Sequence, residues 1–173
     1  MRINKNCKVE MVVSKEATRP QIQDVFFDKA ENVLIATDGK AMAVLPIEDS
    51  LEDTAGYIPK DALKEGRKIK HDTFMLKCNG NITNEYLGKT YNRPADQTYP
   101  NWKAAIPKYE KKLEIGINAE LLLKLAEALG SGDQVKLEIG LKEDGTFNSS
   151  AIKVTPMKNY TKAYGVIMPC RLG

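Results

Sequence analysis

The sequence predicts an α+β fold in which antiparallel sheets carry two helices on one face. Short apolar segments separated by tight turns recur along the 173 residues, and only two segments have the apolar spacing of a helix. Several strand-like segments follow each of these helices, whereas a parallel sheet requires strands and helices to alternate. From residue 57 onward the order strand, helix, strands occurs twice, which indicates an internal repeat of β-α-β-β units.

The first part of the chain is predicted to form strands and turns. The spacing of apolar residues within residues 8–13 and 21–27 predicts strands. Residues 33–36 and 41–45 are apolar segments that flank residues 37–40, Thr-Asp-Gly-Lys. Because an Asp-Gly pair between apolar segments is a strong hairpin signal, we expect a β-hairpin with its turn at this pair.

The first predicted helix covers residues 60–64. Pro59 suits its start, where the N–H groups of a helix have no partners, and Gly66 suits its end. Residues 73–78 and 82–87 alternate in the manner of strands. The Asn-Gly-Asn sequence between them predicts a second hairpin turn.

The second predicted helix follows Asn118, whose side chain can accept N–H groups of the first turn. Gly130 provides the left-handed residue that ends it. Between them, apolar residues repeat at helical intervals: Leu121, Leu122, Leu125, Ala126 and Leu129. Strands are expected before this helix at residues 113–117 and after it at residues 135–139, 151–155 and 164–168.

Composition argues against several kinds of catalytic and metal site. His71 is the only histidine, so a Ser-His or Cys-His mechanism would depend on one residue in a polar segment. Cys7, Cys78 and Cys170 are far apart without a CxxC pair, which indicates neither a disulfide framework nor a zinc site. No segment reaches transmembrane length. We expect a cytoplasmic, non-catalytic protein without cofactor, metal or membrane contact. A nuclease with a carboxylate metal site is the open alternative.

Positive charge is concentrated in the middle of the chain. Residues 57–112 contain twelve Lys and Arg against six Asp and Glu, whereas the rest contains fourteen against seventeen. One surface in contact with a polyanion would explain this distribution, and a solvated lysine-rich face is the alternative. The candidates for phosphate contact lie on and after the first helix: Lys60, Lys64, Arg67, Lys68 and Lys70. The second helix offers only Lys124, which has glutamates beside it.

Three segments resemble the bacterial DNA sliding clamps, the β subunit of DNA polymerase III. Residues 36–44 resemble a hairpin of the middle clamp domain, and residues 18–20, Thr-Arg-Pro, precede it at the clamp distance. Residues 99–107, which begin Tyr-Pro-Asn-Trp, resemble the segment that joins the middle and last clamp domains. Residues 113–172, which end Met-Pro-Cys-Arg-Leu, resemble the second half of the last domain. The three segments occur in the clamp order.

The resemblance implies a DNA-clamp-like fold and a non-catalytic processivity factor of DNA replication. In clamps, the hairpin, the joining segment and the C-terminal tail converge on one hydrophobic groove, which receives peptide motifs of polymerases and other partners. By position, the groove would comprise Thr37, Gly39, Lys40, Met42, Pro100, Val166, Met168, Pro169, Cys170 and Leu172. Exposed Met, Val and Leu form an adaptable apolar surface for an extended peptide. The alternative is that these residues only shape strands and turns.

The resemblance also implies nonspecific contact with double-stranded DNA by a homo-oligomer. Because the chain has about half the length of a three-domain clamp subunit, we expect a shortened homologue of host, phage or mobile-element origin. Residues 1–108 would correspond to the middle domain and residues 109–173 to half of the last domain, packed as one compact body. Only Lys40 is positive where clamps usually have a basic pair, and Cys170 stands where methionine is common. The alternative function is a groove-only protein-interaction module, a clamp mimic or modulator, that does not encircle DNA.

Overall fold

The computed structural model describes residues 1–94, 97–110, 113–131, 134–146, 151–157 and 163–171. The chain divides into two units, Met1–Pro107 and Lys108–Gly173. Each unit has a hydrophobic core of its own. Within the described ranges, no helix is both long and apolar enough to cross a bilayer.

The described residues of the first unit form nine strands and one α-helix, α1, Lys60–Gly66. The strands are β1 Arg2–Asn4, β2 Val25–Asp28, β3 Val33–Thr37, β4 Met42–Pro46, β5 Gly56–Ile58, β6 Thr73–Met75, β7 Lys77–Asn79, β8 Asn81–Asn84 and β9 Lys89–Tyr91. All of them pair antiparallel, in sheets ordered β4-β3-β2-β5, β7-β8-β9 and β1-β6. The hairpin predicted around the Asp-Gly pair is confirmed as β3 and β4.

The two faces of β2 differ in burial. Val25 and Phe27 are fully buried, whereas Phe26 and Asp28 are half-buried, because successive side chains of a strand point to opposite faces. The buried face joins a core that also takes side chains from all three sheets and from α1. Phe26 and Asp28 are therefore available to hold another segment on the other face of the sheet.

Packing requires the glycine at the end of helix α1. A Cβ atom at Gly66 would lie 2.4 Å from the fully buried ring of Phe74. The predicted helix end at this glycine is confirmed, but glycine is required by the close approach of β6 and not by a left-handed backbone. A larger side chain would have to displace the aromatic ring.

The predicted strand at residues 8–13 is wrong. Val9–Val12 form a 3-10 helix in its place. The buried residues in this segment are Val9, Glu10 and Val13. Burial of the adjacent residues Val9 and Glu10 does not follow the alternation of a strand with one exposed face. The Glu10 carboxylate faces inward and binds Arg67.

Two other predicted strands are interrupted. Within residues 21–27, Ile22 belongs to a 3-10 helix, and β2 begins only at Val25. Residues 73–78 contribute to β6 and β7 in different sheets, and the chain crosses between them at Leu76, whose N–H donates to the Met1 carbonyl at 3.0 Å. The strand expected from residue 57, before the first helix, is confirmed as β5. The sequence does not predict β1 and β9, because three residues are too few to show an alternating pattern.

The described residues of the second unit form one helix on a three-stranded antiparallel sheet. The elements are α2 Ala119–Ala128, β10 Val135–Glu138, β11 Ile152–Pro156 and β12 Gly165–Ile167, with sheet order β10-β11-β12. The α2 helix lies so close to β12 that a Cβ atom at Gly165 would meet Leu125 at 2.5 Å. The core of this unit centres on the buried side chains of Ile152, Val154 and Ile167.

Both predicted ends of the second helix are confirmed. The Asn118 Oδ1 atom accepts the N–H groups of Glu120 at 3.0 Å and Leu121 at 3.2 Å, and Gly130 has a φ of +64°. The strand predicted at residues 113–117 is wrong, because there only Gly116 pairs, in an isolated bridge to Cys170. The α+β class, with two helices and antiparallel sheets in the part of the chain described, is confirmed.

Candidate functional site

A pocket of about 600 Å³ in the first unit lies between the β3–β4 hairpin and the connector that contains the only tryptophan of the chain. Three segments line it: Arg19, Gln21 and Ile22; Thr37, Gly39, Lys40, Ala41 and Met42; and Tyr99, Pro100, Asn101, Trp102 and Ala105. Two of the three segments that resemble clamps therefore meet at one site within this unit. We call it the hairpin pocket.

The hairpin turn is fixed by its own side chains. The Asp38 Oδ1 atom accepts the N–H groups of Lys40 and Ala41, both at 2.8 Å. The Thr37 hydroxyl donates to the Ala41 carbonyl at 2.7 Å and accepts the Gly39 N–H at 3.0 Å. The N–H groups of Ala41 and Lys40 hold the pKa of the Asp38 carboxyl below its usual range. The carboxylate is thus bound to the backbone of the turn, which holds the pocket wall in one shape.

A second cation lies at this turn. Gly39 has a φ of +88°, and a Cβ atom there would lie 2.7 Å from Nη1 of Arg19. The Arg19 Nε atom is 3.1 Å from Glu16, in a pair whose side chains are about half exposed. Lys40 is the only basic residue within the turn itself. The fold brings a second positive charge, the Arg19 guanidinium, to the same turn from another segment.

The connector is held on the face of the sheet that carries Asp28. The Trp102 Nε1–H group donates to Asp28 Oδ2 at 3.1 Å. The next residue, Lys103, forms an ion pair with Glu31. Trp102–Ala105 form a 3-10 helix, so these contacts fix a full turn of the connector against the sheet. The indole is therefore held in place as a wall of the hairpin pocket.

Tyr99 anchors the start of the connector. Its ring stacks on Phe26, with centroids 4.8 Å apart and planes 15° apart. Its hydroxyl is buried without a hydrogen-bond partner among the described residues. Burial, with the Tyr57 phenol nearby, raises the pKa of this hydroxyl, so it stays protonated. An unpaired buried hydroxyl costs about 1–3 kcal/mol.

We expect Tyr99→Phe to raise the free energy of unfolding of the first unit by about 1 kcal/mol, because it removes a buried polar atom that makes no bond. The measurement is urea unfolding followed by Trp102 fluorescence. The matched control is Tyr57→Phe, which removes a hydroxyl that donates to the Gln21 carbonyl at 3.0 Å and should destabilise the unit. A less stable Tyr99→Phe variant would show that its hydroxyl makes a stabilising contact.

The structure places the ten predicted groove residues in two groups. Those that line the hairpin pocket are Thr37, Gly39, Lys40, Met42 and Pro100. Those in the second unit are Val166, Met168, Pro169 and Cys170, of which Val166 and Met168 are more than half exposed. Leu172 lies outside the described residues. A groove shared by all ten residues stays a prediction.

Sequence reasoning did not select several lining residues of the hairpin pocket. Tyr99, Asn101 and Trp102 lie inside the segment that resembles the clamp connector, so that segment could have indicated them. Arg19 lies in the Thr-Arg-Pro segment noted for its spacing from the hairpin. No local sequence pattern marks Ile22 as a pocket residue. It lies in a 3-10 helix and lines the pocket.

The basic residues on and after α1 differ in their availability. Lys60, Lys68 and Lys70 are exposed and form no ion pair with a described residue, and Lys64 lies 3.9 Å from Asp61. Arg67 is different: its side chain is only 14% exposed and binds Glu10 through both terminal nitrogens. Burial lowers the pKa of Arg67, but an arginine remains charged at neutral pH.

The remaining candidate residues are His71 and Lys124. His71 lines a pocket of about 630 Å³, and its ring lies 5.9 Å from that of Tyr86. No three His, Cys, Asp or Glu residues in the described ranges are grouped so that they could hold a metal ion. On α2, Lys124 pairs with Glu120 at 2.8 Å.

Comparisons with solved structures identify the fold. No family model and no curated protein matches the chain. The DNA polymerase III beta chain of Streptococcus pneumoniae TIGR4 matches at a TM-score of 0.64 and 19% identity, over 99% of this chain and 49% of that one. The Caulobacter crescentus sliding clamp matches at a TM-score of 0.64 and 18% identity, over 100% and 50%. The Helicobacter pylori beta clamp bound to a DNA ligase peptide matches at 0.59 and 18%, over 93% and 45%.

The chain therefore has the fold of the bacterial sliding clamps and spans about half the length of these clamp chains. The resemblance stated from the sequence is confirmed at the level of the fold.

Proposed function

We propose that this protein is a non-catalytic, clamp-like processivity factor of DNA replication. It captures an extended peptide of a polymerase or another replication protein in the hairpin pocket, and it contacts double-stranded DNA without sequence preference. The observation that carries the proposal is the pocket itself, in which the clamp-like hairpin and the clamp-like connector face each other.

The hairpin pocket suits a peptide with a large apolar side chain. Ile22, Met42, Pro100 and Trp102 provide apolar walls, and methionine adapts its shape to different guests. The turn and the connector are each fixed by hydrogen bonds, so the site is largely formed before a ligand arrives. A Helicobacter pylori protein with the same fold holds a DNA ligase peptide. We extend the site to the predicted tail residues Val166, Met168, Pro169, Cys170 and Leu172.

The test of this proposal is the selection of peptides from a random decapeptide library on the immobilised full chain. We expect enrichment of peptides with adjacent apolar residues, which compete with one another for one site. Selection on the Met42→Asp variant, run in parallel, should not enrich the same peptides. Enrichment of the same peptides on both proteins would place the binding site elsewhere and contradict the proposal.

DNA contact is assigned to the basic surface that follows α1. Three lysines of this surface are exposed and form no ion pair with a described residue: Lys60, Lys68 and Lys70. Nonspecific phosphate contacts require such accessible positive charges. The Arg67 guanidinium lies beside these lysines, with its charge balanced by Glu10. Encirclement of a duplex would require a homo-oligomer of this chain, and we include that oligomer in the proposal.

We expect the double substitution Lys68→Glu and Lys70→Glu to weaken binding to a duplex of any sequence. If both lysines contact phosphates, the slope of log K against log salt should decrease in magnitude by about 2. Fluorescence anisotropy of a labelled 30-base-pair duplex at several salt concentrations measures both quantities. The control is Lys124→Glu on α2, which should change little. Equal effects of the control and the double variant would indicate only a general charge effect.

A groove-only module is the second candidate function. It is favoured by α2, whose single lysine is paired with Glu120 and is followed by Glu127, so this helix offers poor phosphate contacts. This candidate predicts a monomer in light scattering and no duplex binding at low salt, with peptide binding retained. The processivity factor predicts an oligomer that binds the duplex.

A further inference from the structure

We infer that the second unit is completed by the second unit of another copy of this chain. Residues 113–117 of each copy add a strand to the edge of β10 in the other copy, which gives a dimer with twofold symmetry. The inference rests on the oligomer in the proposed function and assigns a surface to it. The precedent for the contact is an exchange of strands inside the first unit.

The first unit consists of two halves that exchange their first strands. One half contains β1 to β4 and two 3-10 helices, and the other contains β5 to β9 and α1. Strand β1 pairs antiparallel with β6, which follows the helix of the other half. Strand β5 pairs antiparallel with β2, which follows the 3-10 helices of the first half. Each half therefore provides a strand that the other half lacks.

The second unit has the element order of one such half without its mate. Residues 113–117 take the place of the first strand, α2 that of the helix, and β10, β11 and β12 that of the strands after it. An isolated bridge occurs at the same point in both: Arg2 of β1 bridges Glu48 after β4, and Gly116 bridges Cys170 after β12. In the described ranges, no strand pairs with β10 on the side away from β11. The strand that a second half would supply is therefore missing.

The second unit also leaves apolar surface for a partner to cover. In the first unit the two halves share one core, in which Ala62 and Leu63 of α1 are fully buried. On α2, by contrast, Leu121 and Leu123 are more than half exposed. A second half beside β10 would bring its own α2 next to this helix and cover one flank of it. The second unit has few buried apolar side chains among its described residues: Ala126, Ile152, Val154 and Ile167.

The apolar alternation of residues 113–117 predicts a strand that the chain does not form by itself. The first unit supplies the register, since Ile58, directly before the cap of α1, pairs with Val25, the first residue of β2. The equivalent residues are Ile117, directly before the cap of α2, and Val135, the first residue of β10. Two positions further along, apolar residues again oppose each other: Ile115 and Leu137. This register keeps one face of the added strand apolar, as a sheet covered by a helix requires.

The test measures the mass of the full chain by light scattering and the hydrogen exchange of its amides over a range of protein concentrations. The mass should rise to that of two chains. Amides within residues 113–117 and 135–138 should become about tenfold or more protected as the dimer forms, because the new strand pair binds them. The control is β2, which is paired on both sides within one chain and should exchange at the same rate at every concentration.

A charge on the exposed flanks of α2 should prevent the contact. The double variant Leu121→Glu and Leu123→Glu should keep the helix content of the wild type but have the mass of one chain, without protection of residues 113–117. Leu51→Glu, at a fully exposed leucine of the first unit, is the matched control and should remain a dimer. The mass of a single chain at every wild-type concentration would overturn the inference. A dimer in which neither segment gains protection would also overturn it, because that dimer would use another surface.

The same protein separates this inference from the proposed function. A dimer with both segments protected that binds neither peptide nor duplex would support the inference and overturn the proposed function. An oligomer that binds the duplex while both segments exchange freely would do the reverse.

Discussion

Replacing Glu10 by alanine will lower the free energy of unfolding of the first unit by about 3–5 kcal/mol. The Glu10 side chain is only 2% exposed and binds the Arg67 guanidinium through both of its oxygens, one of them at 2.8 Å. Its removal leaves a largely buried charge without a partner, which is the costly way to break such a pair. Urea unfolding followed by Trp102 fluorescence measures the loss, because the only tryptophan lies in this unit.

Two controls show whether burial causes the loss. Glu85→Ala removes one partner of an exposed pair, Lys77 and Glu85 at 2.5 Å, and should change stability by less than about 1 kcal/mol. Replacing both buried partners, Glu10→Leu with Arg67→Met, should recover most of the stability lost in Glu10→Ala. A loss below about 1 kcal/mol for Glu10→Ala would mean that water reaches the guanidinium and that the pair is not a structural contact.

Replacing Met42 by aspartate will lower the affinity for a selected peptide by about 100-fold, which corresponds to about 2.7 kcal/mol. The substitution places a charge in the apolar wall of the hairpin pocket, where a bound peptide would exclude water from it. Polarisation of the labelled peptide gives the affinity. Met11→Asp is the matched control, because Met11 is 72% exposed and does not line the pocket.

The same experiment tests the proposed extension of the groove. If the tail contributes to the site, Met168→Asp will also weaken the peptide by tenfold or more. Wild-type affinity in Met168→Asp, together with a loss in Met42→Asp, would restrict the site to the first unit. Unchanged affinity in Met42→Asp would remove the hairpin pocket from the account.

The features that the sequence predicts well are those with local causes. The Asp-Gly turn depends on Asp38 and the N–H groups of the next residues, and the start of α2 depends on Asn118 and the first turn of its own helix. Each signal spans a few residues, so it can be recognised before the fold is known. The same holds for Gly130, whose left-handed backbone ends α2.

The features that the sequence misses depend on residues far away along the chain. The 3-10 helix at Val9–Val12 places Glu10 against Arg67, which is 57 residues away along the chain, and the segment alone looks extended. The crossing at Leu76 depends on its bond to Met1. No pattern in either segment contains this information.

The residues of the candidate site also separate into those with local sequence signals and those that depend on distant residues. Thr37, Gly39 and Met42 could be named from a clamp-like hairpin, and Pro100 from a clamp-like connector, because those segments keep recognisable residues. The approach of Arg19 to Gly39 could not be named, since it requires the fold to bring residues 19 and 39 together. The presence of a second cation at this turn is a property of that fold.

The central claim is that the hairpin pocket is the peptide site, and Trp102 allows the most direct measurement of it. A selected peptide that lacks tryptophan is titrated into the full chain while Trp102 emission and its quenching by acrylamide are recorded. We predict a saturable change in emission and protection from the quencher, with the dissociation constant found by polarisation, and the loss of both in Met42→Asp. Tight binding by polarisation with no change at Trp102 would contradict the account.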